Sequence, residues 1–541
     1  MQRLRPARVR VDSAALLLWA GAAGCGAWLG LGAAWAWAWP LSLAALAGLC
    51  TLVVGASRRS ASQGLVAVTL GWAAWQLAGT GWVALAVRDG AHTTAWQLVV
   101  LLVLLVLQTL PAVLLWWLLD RATRSAGGQA RDRDALHLLL RFGLTLAGAE
   151  TLRQFGWWGS GYAALATAFV DAPGARWVVP VIGAAGWGWL VWGAAAALAG
   201  AVWFRLAGAR RARRWSDAAV LLATVAGLGL WALDQQPRPG WMQTSPAGEV
   251  VALAVQPPAE RGRRWTREAR DEALVQLEAA LRGAAPDTVL VTAETFFPEP
   301  PPRVAEGGWL DLVKLVRTRG VHVLVGMPHL LRDDAGVHLM NAVVQLSPDR
   351  QSLYAKERLV PGGEYLPWPE TLGPVYAQVF EKVRTGQQAG PPELRQPLFA
   401  AGQAIGASIC HELSFALTMA DRAREANWLV NLADDVWIDD GLYRQQMLSV
   451  ARLRALEAGK PLLRVSQGAA SMLVSPDGEV LAQAGDAGAH VLPVQLQARQ
   501  GLTPYHRLAG GLASLPLVLA GAWCLVALAR RPRTPRTASP T

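Results

Sequence analysis

The stretch around which the chain is organised is residues 404–415, AIGASICHELSF. Small and β-branched residues in its first half predict a buried strand, which ends at Cys410. Two further polar residues stand at comparable positions upstream, since Glu294 closes the apolar run TVLVTAE and Lys356 closes QSLYAK. A strand end is a rigid base from which a side chain can point outward. The sequence therefore predicts a candidate active site at Glu294, Lys356 and Cys410.

From about residue 249 onward, short apolar strands alternate with amphipathic helices. Helices are predicted at 266–282, 309–319 and 442–458. Two hairpins are predicted around the turns SPDR and SPDG, and the first of them carries Lys356. The order of these elements predicts a four-layer α/β domain with a mixed sheet.

The two ends of the 541-residue chain have the composition of a membrane protein, rich in Leu, Ala, Gly and Trp. A bilayer span needs about 20 apolar residues. Eight segments are predicted as spans, each close to this length except the short fifth, at 13–34, 38–56, 64–87, 95–119, 135–150, 177–204, 217–233 and 508–529. The predicted divisions are therefore a multi-pass α-helical bundle of seven spans over 1–233, a soluble catalytic domain over 234–505, and a last transmembrane helix with a basic tail over 506–541.

The arginines between the apolar segments predict the orientation of the bundle. They occupy alternate connections and the C-terminal tail, and the positive-inside rule makes that side cytoplasmic. They are Arg58, Arg59, Arg121, Arg124, Arg131, Arg133, Arg205, Arg210, Arg211, Arg213, Arg214, Arg530, Arg531, Arg533 and Arg536. The soluble domain is predicted to lie on the opposite side. Because short cytoplasmic loops account for the net charge of +11, no nucleic-acid partner is expected.

Residues 156–175, GWWGSGYAALATAFVDAPGA, do not fit either class of segment. They are too polar and too rich in glycine for a span, and too apolar for a free loop. We predict that they lie in or re-enter the outer leaflet, with Trp157, Trp158 and Tyr162 in contact with lipid.

Cys410 is the only thiol of the predicted soluble domain, because Cys25, Cys50 and Cys524 lie in apolar segments. It therefore has no partner for a disulfide within that domain. A buried core cysteine is the ordinary alternative to a functional one. The eight histidines show no metal-ligand spacing, so neither a metal nor another cofactor is expected.

The three strand-end residues have the chemistry that acyl transfer requires. The thiolate is the nucleophilic form of cysteine, so a carboxylate that takes the proton and an ammonium that stabilises an oxyanion would activate Cys410. Lys356 stands out because the chain uses arginine for nearly every cation. A compact ammonium fits a narrow site that a planar guanidinium does not. The alternatives are a solvated hairpin end for Lys356 and a water-facing acid for Glu294.

Three motifs resemble a known family: TAETFFP, YAKERLVPGGEYLP and ICHELSF are similar to the Glu, Lys and Cys motifs of the nitrilase superfamily. With seven spans before the domain and one after it, the chain resembles the apolipoprotein N-acyltransferases, the membrane-embedded branch. The resemblance implies an α-β-β-α sandwich in the periplasm of a bacterium, carried by a monomer of the inner membrane. It also implies transfer of an acyl chain from a phospholipid to the N-terminal amine of a diacylglyceryl-cysteine lipoprotein.

Carried over by motif, Glu294 is the base, Lys356 the oxyanion residue and Cys410 the nucleophile. The resemblance also implies supporting or substrate-binding roles for Trp265, Glu364, His411, Glu412 and Trp437. The chain departs from the usual motifs at Thr292-Ala293, at His411 and in the run Asp434-Asp435-Val436-Trp437-Ile438. These departures concern the substrate pocket more than the reaction.

Two other functions are considered. A membrane-anchored, nitrilase-like amidase would use the same residues to hydrolyse a lipidic or small amide, but seven helices are more than an anchor needs. A transporter with an appended binding domain would carry ionisable residues within its spans. Only Arg141, Glu150 and a few glutamines approach this description, which disfavours a transporter.

Overall fold

The N-terminal helices follow the long apolar runs of the sequence. The computed structural model describes residues 12–86, 93–125, 134–155, 159–206, 210–258, 266–300, 308–334, 336–379, 386–438, 440–485 and 488–530. Polar caps begin two of the helices, because Asp12 accepts a hydrogen bond from the Ala15 N–H and Ser60 accepts one from the Gln63 N–H. Before the first strand lie α1 Ser13–Gly32, α2 Trp39–Arg59, α3 Ala61–Thr80, α4 Thr93–Ser125, α5 Ala135–Phe155, α6 Ala175–Leu206 and α7 Arg210–Asp234.

Within the described residues, six helices are long and apolar enough to cross a membrane. They are Ser13–Gly32, Ala36–Arg59, Thr94–Arg124, Ala175–Leu206, Arg214–Asp234 and Pro504–Ala527. Each corresponds to one of the eight predicted spans. The other two predicted spans also form helices, α3 and α5, but these are less apolar. That they too cross the membrane stays a prediction.

The polar character of α3 and α5 is explained by their packing inside the bundle. An added Cβ at Gly26 of α1 would lie 1.9 Å from the carbonyl oxygen of Gly71 on α3, so these helices are in backbone contact. In α5, Arg141 is buried and its Nη1 lies 2.6 Å from Oδ1 of Asp120. Ionisable residues in membrane helices ordinarily face the interior of a bundle and pair there.

The central part of the chain forms the predicted α/β domain. Its helices are α8 Arg267–Gly283, α9 Gly308–Arg319, α10 Pro369–Val379, α11 Ala416–Arg424 and α12 Gly441–Ala458, and α13 Pro504–Ala529 follows the domain. Its strands are β1 Ser245–Gln256, β2 Val289–Thr292, β3 His322–Asp333, β4 Gly336–Leu346, β5 Gln351–Ala355, β6 Leu398–Ala400, β7 Gln403–Ile409, β8 Trp428–Asp434, β9 Leu462–Gln467, β10 Met472–Val474, β11 Val480–Gln483 and β12 His490–Gln500. The predicted helices at 266–282, 309–319 and 442–458 are confirmed as α8, α9 and α12.

The strands form two mixed six-stranded sheets that face each other. The first has the order β12-β1-β2-β3-β4-β5, and the second has the order β11-β10-β9-β8-β7-β6. One core lies between the sheets and contains Val291 and Val343 from the first sheet and Ile405 and Val430 from the second. Helices α8 and α9 cover the outer face of the first sheet, and α11 and α12 cover that of the second. The predicted α-β-β-α sandwich is confirmed.

The edge strand β12 was not among the predicted elements. It pairs antiparallel with β1 along its whole length, from Ser245 opposite Gln500 to Gln256 opposite His490. Its side chains alternate between exposed and buried only in its second half. The sequence signal for a half-buried strand was therefore short.

The α/β domain is attached to the bundle through buried polar contacts. Helix α6 is broken at Gly183, where φ is 73° and the ring of Tyr505 lies against the backbone. The next residue, Ala184, donates its N–H to Oε1 of Glu457 on α12 at 2.8 Å. A second contact joins Gln446 Nε2 to the carbonyl of Gly79 at 2.7 Å. A carboxylate of the α/β domain thus caps the interrupted end of a membrane helix.

The prediction that Tyr162 contacts lipid is wrong. Its side chain is buried and packs edge-on against Trp82, with ring centroids 5.0 Å apart, and against Tyr443 of α12 at 6.3 Å. The α/β domain therefore covers this apolar segment, where the prediction placed the outer leaflet. Trp157 and Trp158, which shared the prediction, lie outside the described residues.

Candidate active site

Cys410 stands at a sharp turn between a strand and a short helix. Strand β7 ends at Ile409, and Cys410 is the first residue of the 3-10 helix Cys410–Ser414. Its φ of 52° is in the left-handed region, which costs a residue other than glycine about 1–3 kcal/mol. The side chain is partly buried beside the core between the two sheets. A strained turn at the edge of a core holds the thiol in a fixed direction, as a nucleophile needs.

Lys356 brings two of the predicted carboxylates together. It follows β5, and its Nζ lies 3.3 Å from Oε1 of Glu294 and 2.7 Å from Oε1 of Glu364. The lysine is 1% exposed, so both ion pairs are shielded from water. Its backbone is fixed as well, by an N–H donated to the carbonyl of Asn341 at 2.9 Å. Glu294 and Glu364 thus hold one ammonium in a defined position.

Asn341 is a member of this cluster that the sequence interpretation missed. Its Nδ2 donates to Oε1 of Glu294 at 2.7 Å and to Oε1 of Glu364 at 3.0 Å. The residue lies on β4, within the apolar run VHLMNAVVQL. An asparagine interrupting a buried strand was the available signal, because a buried amide needs polar partners.

The charges of the cluster depend on its burial. Burial alone would lower the pKa of the Lys356 ammonium, but the Glu294 and Glu364 carboxylates outweigh it and hold that pKa well above its ordinary value. Burial raises the pKa of Glu294, and Lys356 offsets this only in part. Burial and the negative charge of Glu294 raise the pKa of the Cys410 thiol well above its ordinary value. The thiol is therefore protonated at rest, and a base has to remove its proton before it can attack.

Glu412 ties the nucleophile turn to the loop that follows Lys356. Its Oε2 accepts hydrogen bonds from the Ile409 N–H at 2.7 Å and the Tyr354 hydroxyl at 2.8 Å. Its Oε1 accepts from the N–H groups of Glu357 at 2.7 Å and Arg358 at 3.0 Å. The side chain is fully buried. All four donors converge on one carboxylate, so Glu412 fixes the separation between Cys410 and Lys356.

The remaining predicted site residues, His411, Trp437 and Trp265, differ in their surroundings. His411 is buried against Phe415 and its Nδ1 has no hydrogen-bond partner. Burial and the nearby Lys356 and Arg358 lower its pKa well below the ordinary value, so its imidazole is neutral and a weak base. Trp437 follows β8 and is 44% exposed. Trp265 lies outside the described residues.

A second buried network reaches Cys410 from behind. Arg464 Nη2 lies 2.6 Å from Oδ2 of Asp435, and its Nη1 donates to Oδ1 of Asn431. Asn431 in turn donates from Nδ2 to the carbonyl oxygen of Cys410 at 3.2 Å. The Tyr443 hydroxyl closes the other end, donating to Oδ1 of Asp435 at 2.6 Å. This chain of hydrogen bonds orients the backbone of Cys410 and was not predicted.

The membrane bundle also contacts the nucleophile helix. An added Cβ at Gly161 would lie 1.8 Å from the carbonyl oxygen of Ser414, so the two backbones touch. Arg153 Nη2 holds this segment by donating to the Tyr162 carbonyl at 2.6 Å. The Ala416 N–H, just after the helix, donates to Oε1 of Gln154 at 3.3 Å. The position of Cys410 therefore depends on the bundle.

Replacing Gly161 with alanine is expected to lower the melting temperature of the purified protein by several degrees. The new methyl group would meet a backbone oxygen, which cannot rotate away, and overpacking of this kind costs about 1–3 kcal/mol. Thermal unfolding of the full chain measures the effect. Gly193→Ala is the matched control, because an added Cβ at Gly193 of α6 meets nothing within 4 Å. Equal melting temperatures for the two variants would contradict the backbone contact.

The amino-acid sequence of this chain is similar to those of known proteins. The carbon-nitrogen hydrolase family model matches residues 278–505. The apolipoprotein N-acyltransferase of Azotobacter vinelandii is 30% identical over 459 residues, which cover 83% of this chain and 84% of that protein. That of Ralstonia nicotianae is 29% identical over 516 residues, which cover 91% and 90% of the two chains. That of Chromobacterium violaceum is 31% identical over 326 residues, which cover 59% and 60%.

Proposed function

The chain belongs to the apolipoprotein N-acyltransferase family, and from this premise we propose that it moves an acyl chain from a phospholipid to the N-terminal α-amine of a diacylglyceryl-cysteine lipoprotein. The observation that carries the proposal is the ammonium of Lys356, buried between Glu294 and Glu364. It lies within electrostatic range of the Cys410 thiol. The proposed catalytic residues are Glu294, Lys356 and Cys410.

In the first step Glu294 takes the proton of Cys410, and the thiolate attacks the carbonyl carbon of a phospholipid ester. The negative charge of the tetrahedral intermediate develops on the former carbonyl oxygen, where the Lys356 ammonium stabilises it. The carbon–oxygen ester bond then breaks, and the lysophospholipid leaves with the proton from Glu294. The acyl chain remains on Cys410 as a thioester.

In the second step the α-amine of the lipoprotein attacks the thioester. Glu294 takes a proton from the attacking amine, and Lys356 stabilises the second oxyanion. The carbon–sulfur bond breaks as the amide forms, and Cys410 regains a proton from Glu294. Glu364 and Asn341 support both steps, because they hold the Lys356 ammonium and the Glu294 carboxylate in fixed positions. Asn431 supports them through the carbonyl of Cys410.

The intact mass of the protein tests this proposal. Incubation with a phospholipid that carries an isotope-labelled acyl chain is expected to add the mass of one acyl group, and Cys410→Ala is expected to add none. Addition of a diacylglyceryl-cysteine peptide should then transfer the label to the peptide amine. If the thioester forms but yields only free fatty acid when the peptide is present, the amidase-like alternative is favoured and N-acyl transfer is ruled out.

The rate of thioester formation is expected to fall on the acid side with a midpoint above 4.5, the ordinary pKa of a glutamate. Burial raises the pKa of Glu294. A carboxylate acts as a base only when it is ionised. Thioester formation is therefore fast at pH values above the raised pKa of Glu294, and it slows as the pH falls through that pKa. The pH profile of single-turnover thioester formation measures this midpoint.

Two variants should move that midpoint in opposite directions. Asn341→Leu removes a hydrogen bond that lowers the pKa of Glu294, so the midpoint should rise. Glu364→Gln removes a negative charge that raises the same pKa, so the midpoint should fall. Shifts in the same direction, or none in either variant, would remove Glu294 as the base.

We also propose a location for the active site. The arginine distribution favours a periplasmic α/β domain in a bacterial inner membrane, with α3 and α5 among the spans and the divisions at 1–233, 234–505 and 506–541. The enzyme is proposed to act as a monomer.

Reporter fusions test this orientation. Fusions after Gln235 and just before Arg507 are expected to report the periplasm. Those after Arg59 and Arg124 are expected to report the cytoplasm. A cytoplasmic signal from the Gln235 fusion would overturn the orientation.

A further inference from the structure

A second concave region lies within the bundle, away from the α/β domain. It is a groove of about 660 Å³ between α5, α6 and α13. Its walls are largely aliphatic and aromatic, with Trp189 and Trp192 on the α6 side. The catalytic proposal uses none of these residues. The groove is therefore a separate feature that needs its own explanation.

The ends of the helices show where the groove lies. Helix α5 meets the α/β domain near its C-terminal end, where Gln154 contacts Ala416. Helix α13 begins next to that domain, since Thr503 Oγ1 donates to the carbonyl of Glu457 at 2.6 Å. The groove is lined by the opposite ends of both helices, from His137 to Ala147 on α5 and from Leu515 to Arg530 along α13. It therefore lies in the half of the bundle remote from Cys410.

The length of the groove matches one leaflet. Residues 515–529 of α13 rise by about 21 Å at about 1.5 Å per residue. Half of a bilayer, headgroups included, is also about 20–22 Å thick. The groove is open on its outer side, where lining residues such as Leu140, Leu519 and Val526 are exposed. An acyl chain of the surrounding leaflet can enter it sideways.

One end of the groove is polar. Trp523 Nε1 donates to Thr123 Oγ1 at 3.2 Å, and its ring lies against His137 with centroids 4.4 Å apart. Arg530 completes this end. Thr123, His137 and Arg530 are the lining residues that are not apolar or aromatic, and all three stand at the helix ends remote from the α/β domain. The groove thus has an apolar body and a cationic mouth at the level of the headgroups.

We propose that this groove is a binding site for one anionic phospholipid of the leaflet opposite the active site. Its acyl chain fills the apolar body, and its phosphate lies against the exposed guanidinium of Arg530. Charge complementarity favours this occupant over a second copy of the chain or a neutral lipid. The bound lipid fills the seam between α13 and the bundle, and α13 is the one described membrane helix that follows the α/β domain in sequence.

The experiment uses the full-length Cys410→Ala variant, so that acyl transfer cannot alter the lipids and the result is independent of the proposed reaction. Delipidated protein in detergent is mixed with phosphatidylglycerol or with phosphatidylcholine, and bound lipids are counted by native mass spectrometry. We expect one tightly retained phosphatidylglycerol. Ala522→Phe places a ring in the groove and should abolish this binding, whereas Ala219→Phe, on an exposed position of α7, should not.

The phosphate contact is tested separately. Arg530→Gln should weaken phosphatidylglycerol binding about fivefold, the effect of one surface cation on an anionic lipid, and leave phosphatidylcholine unchanged. Arg214→Gln, at an exposed arginine of α7, is the control. Equal retention of the two lipids by the parent, or unchanged binding in Ala522→Phe, would overturn the proposal. So would a dimer that Ala522→Phe dissociates, because a second copy would then be the occupant.

Discussion

Replacing Lys356 with arginine is expected to slow thioester formation on Cys410 by about 10²–10³-fold, the usual effect of losing one oxyanion donor. The charge is kept, so the loss has to come from shape. The Lys356 Nζ is enclosed by carboxylates at 2.7 and 3.3 Å, and the side chain is 1% exposed. A guanidinium is planar and wider than an ammonium, so it cannot occupy this position without displacing Glu294 or Glu364.

The rate is measured with a labelled phospholipid, in single turnover, at equal amounts of folded protein. Lys314→Arg is the matched control, because that lysine is on the surface of α9 and only pairs with Asp311 at 3.4 Å. Surface pairs of this kind contribute little, so the control should react at the parent rate. A Lys356→Arg variant that also reacts at the parent rate would exclude Lys356 as the oxyanion residue.

The strand ends were the part of the site that could be predicted from the sequence. Glu294, Lys356 and Cys410 each follow a short apolar run, and each follows a strand in the structure, β2, β5 and β7. The local pattern defines where a strand ends, and residue type then indicates the chemistry. Their juxtaposition depends on two sheets packing face to face, which no local pattern encodes.

The supporting contacts could not be predicted because they join distant positions. Asp435, Arg464 and Asn431 come from separate elements of the second sheet and its loops, and only the parallel pairing of β8 with β9 brings Asn431 opposite Arg464. Tyr162 shows a second limit. An aromatic and glycine-rich segment is typical of a membrane interface, but an apolar surface can equally be covered by protein, and here Tyr443 covers it.

All eight apolar segments predicted from the sequence form helices, but α3 and α5 are not among the six candidate spans. Both helices pack closely against their neighbours, since Gly71 of α3 meets the backbone of α1 and Arg141 of α5 pairs with Asp120 of α4. The buried Arg153 illustrates this, since its Nε donates to Gln108 Oε1 on α4 at 2.6 Å. This arginine, just beyond the predicted span 135–150, links α5 to α4 and, through the Tyr162 carbonyl, to the segment that touches the nucleophile helix.

Replacing Glu412 with glutamine is expected to cause the second large loss, with no change in which group is the base. Each carboxylate oxygen accepts two hydrogen bonds, and the amide nitrogen of glutamine accepts none. Two buried donors would lose their acceptor, at about 1–3 kcal/mol each. The loss of either pair of donors affects the site. One pair, the Ile409 N–H and the Tyr354 hydroxyl, holds the turn at Cys410, and the other pair belongs to the loop that follows Lys356.

The consequence for catalysis is a loosened separation between nucleophile and ammonium, so kcat should fall by about tenfold or more for each 1.4 kcal/mol that is lost in the transition state. A positioning role leaves the acid limb of the pH profile at the parent midpoint, because Glu412 exchanges no proton with the substrate. Glu425→Gln, at an exposed glutamate after α11, is the control for the loss of one charge. If Glu412→Gln instead removed the acid limb, Glu412 rather than Glu294 would be the base. A parent-like kcat would show that the four hydrogen bonds do not position Cys410.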